Sequence, residues 1–272
     1  METNYISIYD NTANAKLVYV SESVVDVLGF TPQELIGMGG YELTHPKERA
    51  ALAIVHTANV TNERMSSLAT YRSLHKNGHY VTCDIIVHYC YDVMICTNFG
   101  RVSGDSLKAR MRTVSADEIY VISDDGTIQL AGAWNDSQQK MKNLLLNSQP
   151  WGKNDTIEHK QEPRFCLILN RYSEASNIVF ASKYSESMVG LSQLDCIGTS
   201  LYFYVDEGDA ESVMRQLALA KTKDLITRFR FKWNNGRTSI PVETVVSCTN
   251  DGLVMVVRLS PNVTIAGGEA PA

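Results

Sequence analysis

The sequence predicts an α+β fold with two similar domains, each built in the order β-β-α-α-α-β-β-β. The chain has 272 residues, of which 44% are hydrophobic, and this is enough for about two domains with a core each. It also contains an internal repeat, because residues 17–37 align with residues 178–198, and Gly78 aligns further on with Gly236. The aligned stretches lie far apart within each copy, so the repeat spans a whole domain.

The elements of the first copy follow from local patterns. Alternating apolar and polar residues, rich in β-branched and aromatic types, predict five strands, at residues 5–9, 17–20, 67–75, 79–89 and 93–99. Thr31 and Glu34 form a capping box around Pro32, which predicts the start of a short helix between the second and third strands. A further helix is predicted to begin at His45-Pro46.

The second copy repeats this pattern, and Asn234-Asn235-Gly236 and Asn250-Asp251-Gly252 are turns typical of β-hairpins. We therefore expect one domain at residues 1–99 and another at residues 164–260. Residues 100–163 form a connector between them, and residues 261–272 are expected to be a disordered tail.

The connector is more elaborate than a simple linker. A hairpin is predicted around the turn Asp124-Asp125-Gly126, and residues 137–147 read as a short amphipathic helix with Met141, Leu144 and Leu145 on one side. A helix this short needs packing to be stable in water. We therefore expect it to dock on a sheet of its own chain or of a partner.

Composition and charge exclude several classes of protein. The net charge is −5, which argues against direct binding to nucleic acid. There is no apolar run long enough to cross a membrane and no secretory signal, so we expect an intracellular protein of the cytoplasm or nucleus. The six cysteines contain no C-x-x-C pair, so neither a zinc ribbon nor a disulfide framework is predicted.

The motifs of the first copy resemble those of the PAS domain. They are Tyr19-Val20-Ser21-Glu22-Ser23, Leu28-Gly29-Phe30, residues 32–37 with the pattern Pro-x-Glu-Leu-x-Gly, and His45-Pro46. The second copy is a weaker instance, with Asp206-Glu207 where His45-Pro46 stands in the first. The tandem arrangement resembles the PAS-A and PAS-B pair of eukaryotic clock, hypoxia and xenobiotic regulators.

The resemblance implies a five-stranded antiparallel sheet with flanking helices in each domain, used for sensing or for binding other PAS domains. Helices cover one face of such a sheet, so the other face is available to a partner sheet or helix. The strand aromatics are more often core than interface: Tyr89, Tyr91, Phe229, Phe231 and Trp233. Only four residues precede Tyr5, so we expect no basic helix-loop-helix ahead of the first copy.

No catalytic or metal-binding motif is present, so we predict no catalytic residues, no metal site and no enzyme activity. Gly37-Met38-Gly39-Gly40 does not follow a strand and reads as a turn. His75 and His79 flank a hairpin turn but have no third ligand nearby in the sequence.

Cofactors known from PAS relatives are also not predicted. Gly40 and Leu201 occupy the positions of the reactive cysteine of flavin photosensors, so cysteinyl-flavin chemistry is disfavoured. His56 is the residue that comes nearest to a haem ligand, but a lone helical histidine is more often structural. Cofactor-binding residues therefore stay unknown.

We predict a non-enzymatic signalling module that acts through PAS–PAS association, as a homodimer or heterodimer, in a role such as transcriptional regulation. The alternative is a PAS sensor with a small-molecule ligand or cofactor in one core. Eight residues are predicted to be buried core residues: Leu28, Leu35, Val87 and Ile95 in the first domain, and Val189, Ile197, Val245 and Val256 in the second.

Overall fold

The computed structural model describes residues 2–90, 93–101, 115–131, 161–223 and 225–260. The predicted helix at residues 137–147, the tail at residues 261–272 and Tyr91 lie outside the described residues. The first sheet contains strands β1 (Asn4–Asp10), β2 (Leu17–Val20), β3 (Ser67–Leu74), β4 (Tyr80–Cys90), β5 (Val93–Gly100), β6 (Glu118–Ile122) and β7 (Ile128–Leu130). The second contains β8 (Arg164–Leu169), β9 (Ile178–Ala181), β10 (Thr227–Asn234), β11 (Ser239–Cys248) and β12 (Leu253–Leu259).

Short helices cover one face of each sheet. In the first repeat these are α1 (Val24–Leu28), α2 (Pro32–Leu35) and α3 (Arg49–Asn62). In the second they are α4 (Tyr184–Val189) and α5 (Ala210–Lys223). The capping box at Thr31 and Glu34 is present as predicted and begins α2.

The two sheets share one strand order. The five strands of the second sheet run β10-β11-β12-β8-β9, and the corresponding strands of the first run β3-β4-β5-β1-β2. Neighbouring strands within each set of five are antiparallel. The α+β fold with two PAS-like sheets is therefore confirmed.

The first sheet differs from the expected five strands because the connector hairpin joins it. Strands β6 and β7 turn at the predicted Asp124-Asp125-Gly126, and β6 pairs in parallel with the edge strand β3. Asp117 fixes this register, since its carboxylate accepts hydrogen bonds from the backbone N–H groups of Met65 (2.9 Å) and Ser66 (3.2 Å) just before β3. An unpaired sheet edge presents free N–H and C=O groups, and the hairpin satisfies them here. The first sheet thus has seven strands.

Each sheet has a core on its helical side. Successive side chains of a strand point to opposite faces, and Ile85, Val87 and Tyr89 of β4 face the helices of the first repeat. In the second repeat Phe231 and Trp233 do the same and Phe229 packs against that core. Of the strand aromatics predicted to be core, Tyr89, Phe231 and Trp233 are therefore core residues, and Phe229 is partly buried against the same core as Phe231 and Trp233.

The opposite faces of the two sheets pack against each other. Residues of alternating strand positions form one apolar cluster between the sheets, with Ile6, Ile8, Leu68, Ile86, Ile95 and Phe99 from the first and Cys166, Ile168, Val245, Val254 and Val256 from the second. The sheet face that was expected to be available to a partner is therefore covered, in each repeat, by the other repeat of the same chain.

Seven of the eight predicted core residues are buried, but not all under helices. Ile95, Val245 and Val256 are completely buried between the sheets. The prediction for Ile197 is wrong, because its side chain is 47% exposed. The preceding residue, Cys196, takes the inward position in this turn, and in the first repeat Leu35 is likewise buried while the aligned Ile36 is exposed.

Two adjacent residues of β12, Val256 and Val257, lie on opposite faces of the second sheet. Val256 and Val257 are both fully buried, but Val256 lies between the sheets and Val257 under the helices. An unpaired buried carboxylate costs several kcal/mol against a total stability of about 5–15 kcal/mol. We expect Val257→Asp to unfold the second domain. We expect Val256→Asp to separate the domains while the second domain stays folded, since opening the interface exposes the charge to water.

Urea unfolding followed by far-UV and near-UV circular dichroism distinguishes these results. Val256→Asp should show two unfolding transitions, one for each domain. Val257→Asp should lack the circular dichroism signal of the folded second domain even in the absence of urea. Identical behaviour of the two variants would contradict the assignment of the two faces.

Candidate functional site

A chain of hydrogen bonds crosses the centre of the sheet interface. Thr97 Oγ1 donates to Ser247 Oγ (3.3 Å), and Ser247 Oγ lies 2.7 Å from Nε2 of His88. His88 Nδ1 lies 3.0 Å from the carbonyl oxygen of Met65. The carbonyl can only accept, so Nδ1 carries the proton and Nε2 accepts from the Ser247 hydroxyl. Thr97, Ser247 and His88 thus all have hydrogen-bond partners, within a contact that is otherwise apolar.

His88 is held neutral by its surroundings. The residue is fully buried, and burial lowers the pKa of its imidazole to about 4, although the Met65 carbonyl and Asp117 act in the opposite direction. A charged imidazole here would lose its hydration, and no carboxylate in the described part of the chain hydrogen-bonds to it. The interface is therefore built for the neutral form of His88.

One end of the interface is a polar contact with the β11–β12 turn. The carboxylate of Asp251 accepts hydrogen bonds from the hydroxyls of Ser21 and Ser23, both at 2.6 Å. Next to it, the backbone N–H of Asn250 donates to Asn4 Oδ1 (2.6 Å). The predicted hairpin turn of the second repeat thus docks on the start of the first.

The repeat makes part of this arrangement symmetrical. Ser21 Oγ accepts from the backbone N–H of Ile6, and the aligned Ser182 Oγ accepts from the N–H of Cys166, both at 2.8 Å. Ser21 contacts a turn of the second domain, and Ser182 in turn lies 4.0 Å from the sulfur of Cys90 in the first. The two aligned serines therefore both lie at the contact between the domains.

The other end of the interface is a network of ion pairs. Asp117 of the connector binds Arg228 (2.5 Å), Arg228 binds Glu243 (3.1 Å), and Glu243 binds Arg258 (2.7 Å). Arg258 continues to Glu162 at the far end of the connector (3.1 Å). Burial raises the pKa of Glu243, but the hydrogen bonds from Arg258 and Arg228 outweigh this and leave it below its usual value. Glu243 is therefore a carboxylate at neutral pH.

Arg164 connects this network of ion pairs to the first domain. Its side chain is completely buried and donates to the carbonyl oxygens of Arg64 (3.0 Å), Tyr89 (3.2 Å) and Glu63. Glu162 supplies the counter-charge at 2.8 Å. Removing one partner of a buried ion pair is strongly destabilising because a charge is left without compensation. Arg164 thus holds both domains and the connector together.

The first domain also contains a cavity on the helical side of its sheet. Its volume is about 40 Å³, and a neighbouring cavity of about 30 Å³ shares Tyr9, Gly40 and Tyr71 as a wall. Such a space holds only a few water molecules. Asn59 is buried in the wall of the larger of these two cavities. Its Oδ1 accepts from Ser67, and its Nδ2 has no hydrogen-bond partner among the described residues.

His56 lies in the same cavity. Its Nδ1 is 2.6 Å from the hydroxyl of Tyr41, and burial lowers the pKa of the imidazole to about 4. The imidazole is therefore neutral, and the present volume has no room for a haem. A ligand much larger than a few waters would have to move the cavity wall.

The other residues considered from the sequence take structural positions. The rings of His75 and His79 stack with centroids 4.4 Å apart beside the hairpin turn, and no group of three metal-ligating side chains occurs among the described residues. A Cβ atom at Gly40 would come within 2.8 Å of the Ala15 carbonyl oxygen, so this position has no space for a cysteine. Leu201 is fully buried.

Sequence reasoning missed the polar residues of the interface. His88 and Ser247 each stand in a run of apolar strand residues, and a polar side chain in a strand buried on both faces needs a partner. That signal was present. Asp117 carried no comparable local signal, because its partners Met65, Ser66 and Arg228 are far away in the sequence. Glu162 and Arg164 are neighbours and bind each other, but their contacts with Arg258 and with the first domain are equally distant in the sequence.

Comparisons with known proteins agree with this fold. The family model for the PAS fold matches residues 17–93. The Basic helix-loop-helix ARNT-like protein 2 of Mus musculus is 33% identical over 69 residues, which are 25% of this chain and 12% of that protein. The Homo sapiens protein is also 33% identical over 69 residues, and the match covers 11% of it. The chain thus spans about a tenth of the length of these relatives.

Solved structures of single PAS domains are also similar. The PAS-B domain of Drosophila melanogaster Cycle with bound glycerol is 24% identical, with a TM-score of 0.31, and the match covers 35% of this chain and 96% of that one. The PAS domain of the Cronobacter turicensis RpfR quorum-sensing receptor in complex with BDSF is 19% identical, with a TM-score of 0.33 and coverage of 37% and 95%.

The chain thus matches the PAS fold over part of its length. Its N-terminal region contains a PAS domain, and its two sheets are consistent with two PAS-like domains. PAS domains are signalling and sensor modules. No helix in the described part of the chain is long and apolar enough to cross a membrane.

The neutral state of His88 predicts a pH dependence. Between about pH 6.5 and pH 4 the unfolded chain takes up a proton at this position that the folded chain does not, so the free energy of unfolding should fall as the pH falls. The contribution of His88 is on the order of 3 kcal/mol at pH 4, and His56 acts in the same direction. Urea unfolding at several pH values should show a shallower slope for His88→Gln than for the wild type. An unchanged slope would contradict the buried neutral imidazole.

Proposed function

We propose that this chain is a non-enzymatic signalling module that works through PAS–PAS association, and that its first association is the internal one between its two domains. The observation that carries the proposal is the sheet-to-sheet contact. It combines an apolar cluster, a central hydrogen-bond chain and an ion-pair network at one end. A scaffold that only joined two independent domains would need none of these.

The proposed mechanism is an exchange of partners. Another PAS protein, or a second copy of the chain, competes for the sheet face of one domain and shifts the population from the closed pair to an open form. The internal contact has the advantage of high effective concentration. A partner must therefore bind the free face tightly, or a signal must first weaken the internal contact.

The names of the ARNT-like relatives support a role in transcriptional regulation. The net charge of −5 gives no support for direct contact with nucleic acid. We therefore propose that any effect on transcription passes through a PAS-containing partner in the cytoplasm or nucleus. The domain limits 1–99 and 164–260 remain part of this proposal, with the hairpin β6–β7 attached to the first sheet.

A substitution in the second domain that opens the interface tests the proposed exchange of partners. Val256→Asp leaves the first domain's face unchanged, with Ile6, Ile86 and Ile95 available to a partner. Sedimentation velocity of this variant, alone and with the tandem PAS segment of an ARNT-like protein, should show self-association or tighter binding than for the wild type. A variant with both domains folded that stays monomeric and binds no better than the wild type would contradict the proposal.

A second candidate function is favoured by the cavity of the first domain. Its wall includes Ile85, Val87 and Cys96, whose neighbours Ile86, His88, Ile95 and Thr97 lie in the sheet interface. A small neutral ligand that hydrogen-bonds to Asn59 would have to displace this wall. Its binding would thereby be coupled to the contact between the domains.

Native mass spectrometry and a visible absorption spectrum of the purified chain test this sensor function. We expect a small bound molecule, or a raised Tm with small neutral amides and phenols, that Asn59→Leu removes. Asn62→Leu is the matched control, because it lies on the same helix outside this cavity. Absence of any bound mass and of any shift in Tm in the wild type would exclude the sensor function in this form.

A further inference from the structure

A larger polar cavity lies at the junction of the two domains. Its volume is about 270 Å³, and its wall is formed by the end of α3 with the residues that follow it, by Asp117 and Glu162 of the connector, and by the second sheet. Four arginines line it, Arg64, Arg164, Arg228 and Arg258, together with three carboxylates. This volume is near the lower limit of about 300 Å³ for small-molecule sites.

The carboxylates of this cavity already accept hydrogen bonds. Glu162 accepts from Arg164 and Arg258, and Asp117 accepts from Arg228 and from two backbone N–H groups. Glu63 accepts from the backbone N–H of Glu162 (2.6 Å). The acidic groups of the wall therefore offer few free lone pairs to a ligand.

The guanidinium groups have donors to spare. Each guanidinium carries five N–H donors. Among the described residues, the guanidinium of Arg64 binds Glu118 through Nη2 (2.7 Å), and its Nε is buried with no hydrogen-bond partner there. Within the described ranges, Nη2 of Arg228 contacts the sulfur of Met65, a weak acceptor, at 3.9 Å. Donors thus exceed acceptors on the cavity wall, and the missing partner is an acceptor.

We propose that this cavity is a binding site for a small oxyanion, carrying a carboxylate or phosphate group, that accepts hydrogen bonds from Arg64 and Arg228. The lining residues carry four positive and three negative charges, and Glu118 and Glu243, which pair with Arg64, Arg228 and Arg258, add two further negative charges. The anion is therefore selected mainly by directed donors, which match carboxylate and phosphate oxygens well.

A bound oxyanion would stabilise the closed arrangement of the domains. It would contact Arg64 of the first domain and Arg228 of the second, and both already bind the connector through Glu118 and Asp117. The site depends on the domain packing but not on partner exchange. Its failure would leave the proposed association untouched.

Isothermal titration of the full chain tests the site, with citrate and inorganic phosphate as probes and sodium chloride of equal ionic strength as reference. We expect saturable binding of at least one probe at one site per chain. Arg64→Gln should weaken it about tenfold or more, the value expected for loss of a hydrogen bond from a charged donor. Binding of citrate alone would assign a carboxylate ligand, and binding of phosphate alone a phosphate ligand.

Two further variants keep the test decisive. Arg230→Gln is the matched control, because Arg230 lies on the same strand as Arg228, is 52% exposed and does not line the cavity. Arg64→Lys keeps the charge beside Glu118 but lacks the Nε donor, and it serves if Arg64→Gln does not fold. The proposal is overturned if neither probe binds saturably, or if Arg230→Gln weakens binding as much as the Arg64 variants.

Discussion

The contact between the two sheet faces is the interaction on which the arrangement of the molecule depends. Apolar residues from both sheets, such as Ile95 and Val256, provide most of the driving force for the contact, because their side chains are completely removed from water. Apolar contact alone is not directional. The hydrogen bond between His88 and Ser247 fixes the register, since a shift of either sheet would leave two buried polar groups without partners.

This contact lies only one β-sheet away from the cavity of the first domain. Strands β4 and β5 send alternate side chains to the two sides, so Val87 lines the cavity and His88 lies in the interface. A sheet this closely packed on both faces cannot absorb a displacement on one side only. The polar cavity at the domain junction offers a second place where a ligand would affect the same contact. Sensing and association would then depend on one equilibrium between closed and open domains.

Much of the fold could be predicted from local sequence patterns. The repeat, the capping box at Thr31 and the hairpin at Asp124-Asp125-Gly126 all appear where the residues indicated. The pairing of the two domains could not be predicted, because it depends on contacts such as Ser21 with Asp251 that are 230 residues apart. The parallel pairing of β6 with β3 could not be predicted for the same reason. Ile197 shows the limit of local patterns, since an apolar residue in a turn can point outward.

A double-mutant cycle between His88 and Ser247 measures the central contact most directly. The free energy of unfolding would be determined for the wild type, His88→Ala, Ser247→Ala and the double variant at pH 8, where the histidine is neutral. A direct bond between the two sheets predicts a coupling energy of about 1 kcal/mol or more. Effects of the two substitutions that add to within about 0.3 kcal/mol would contradict the interface.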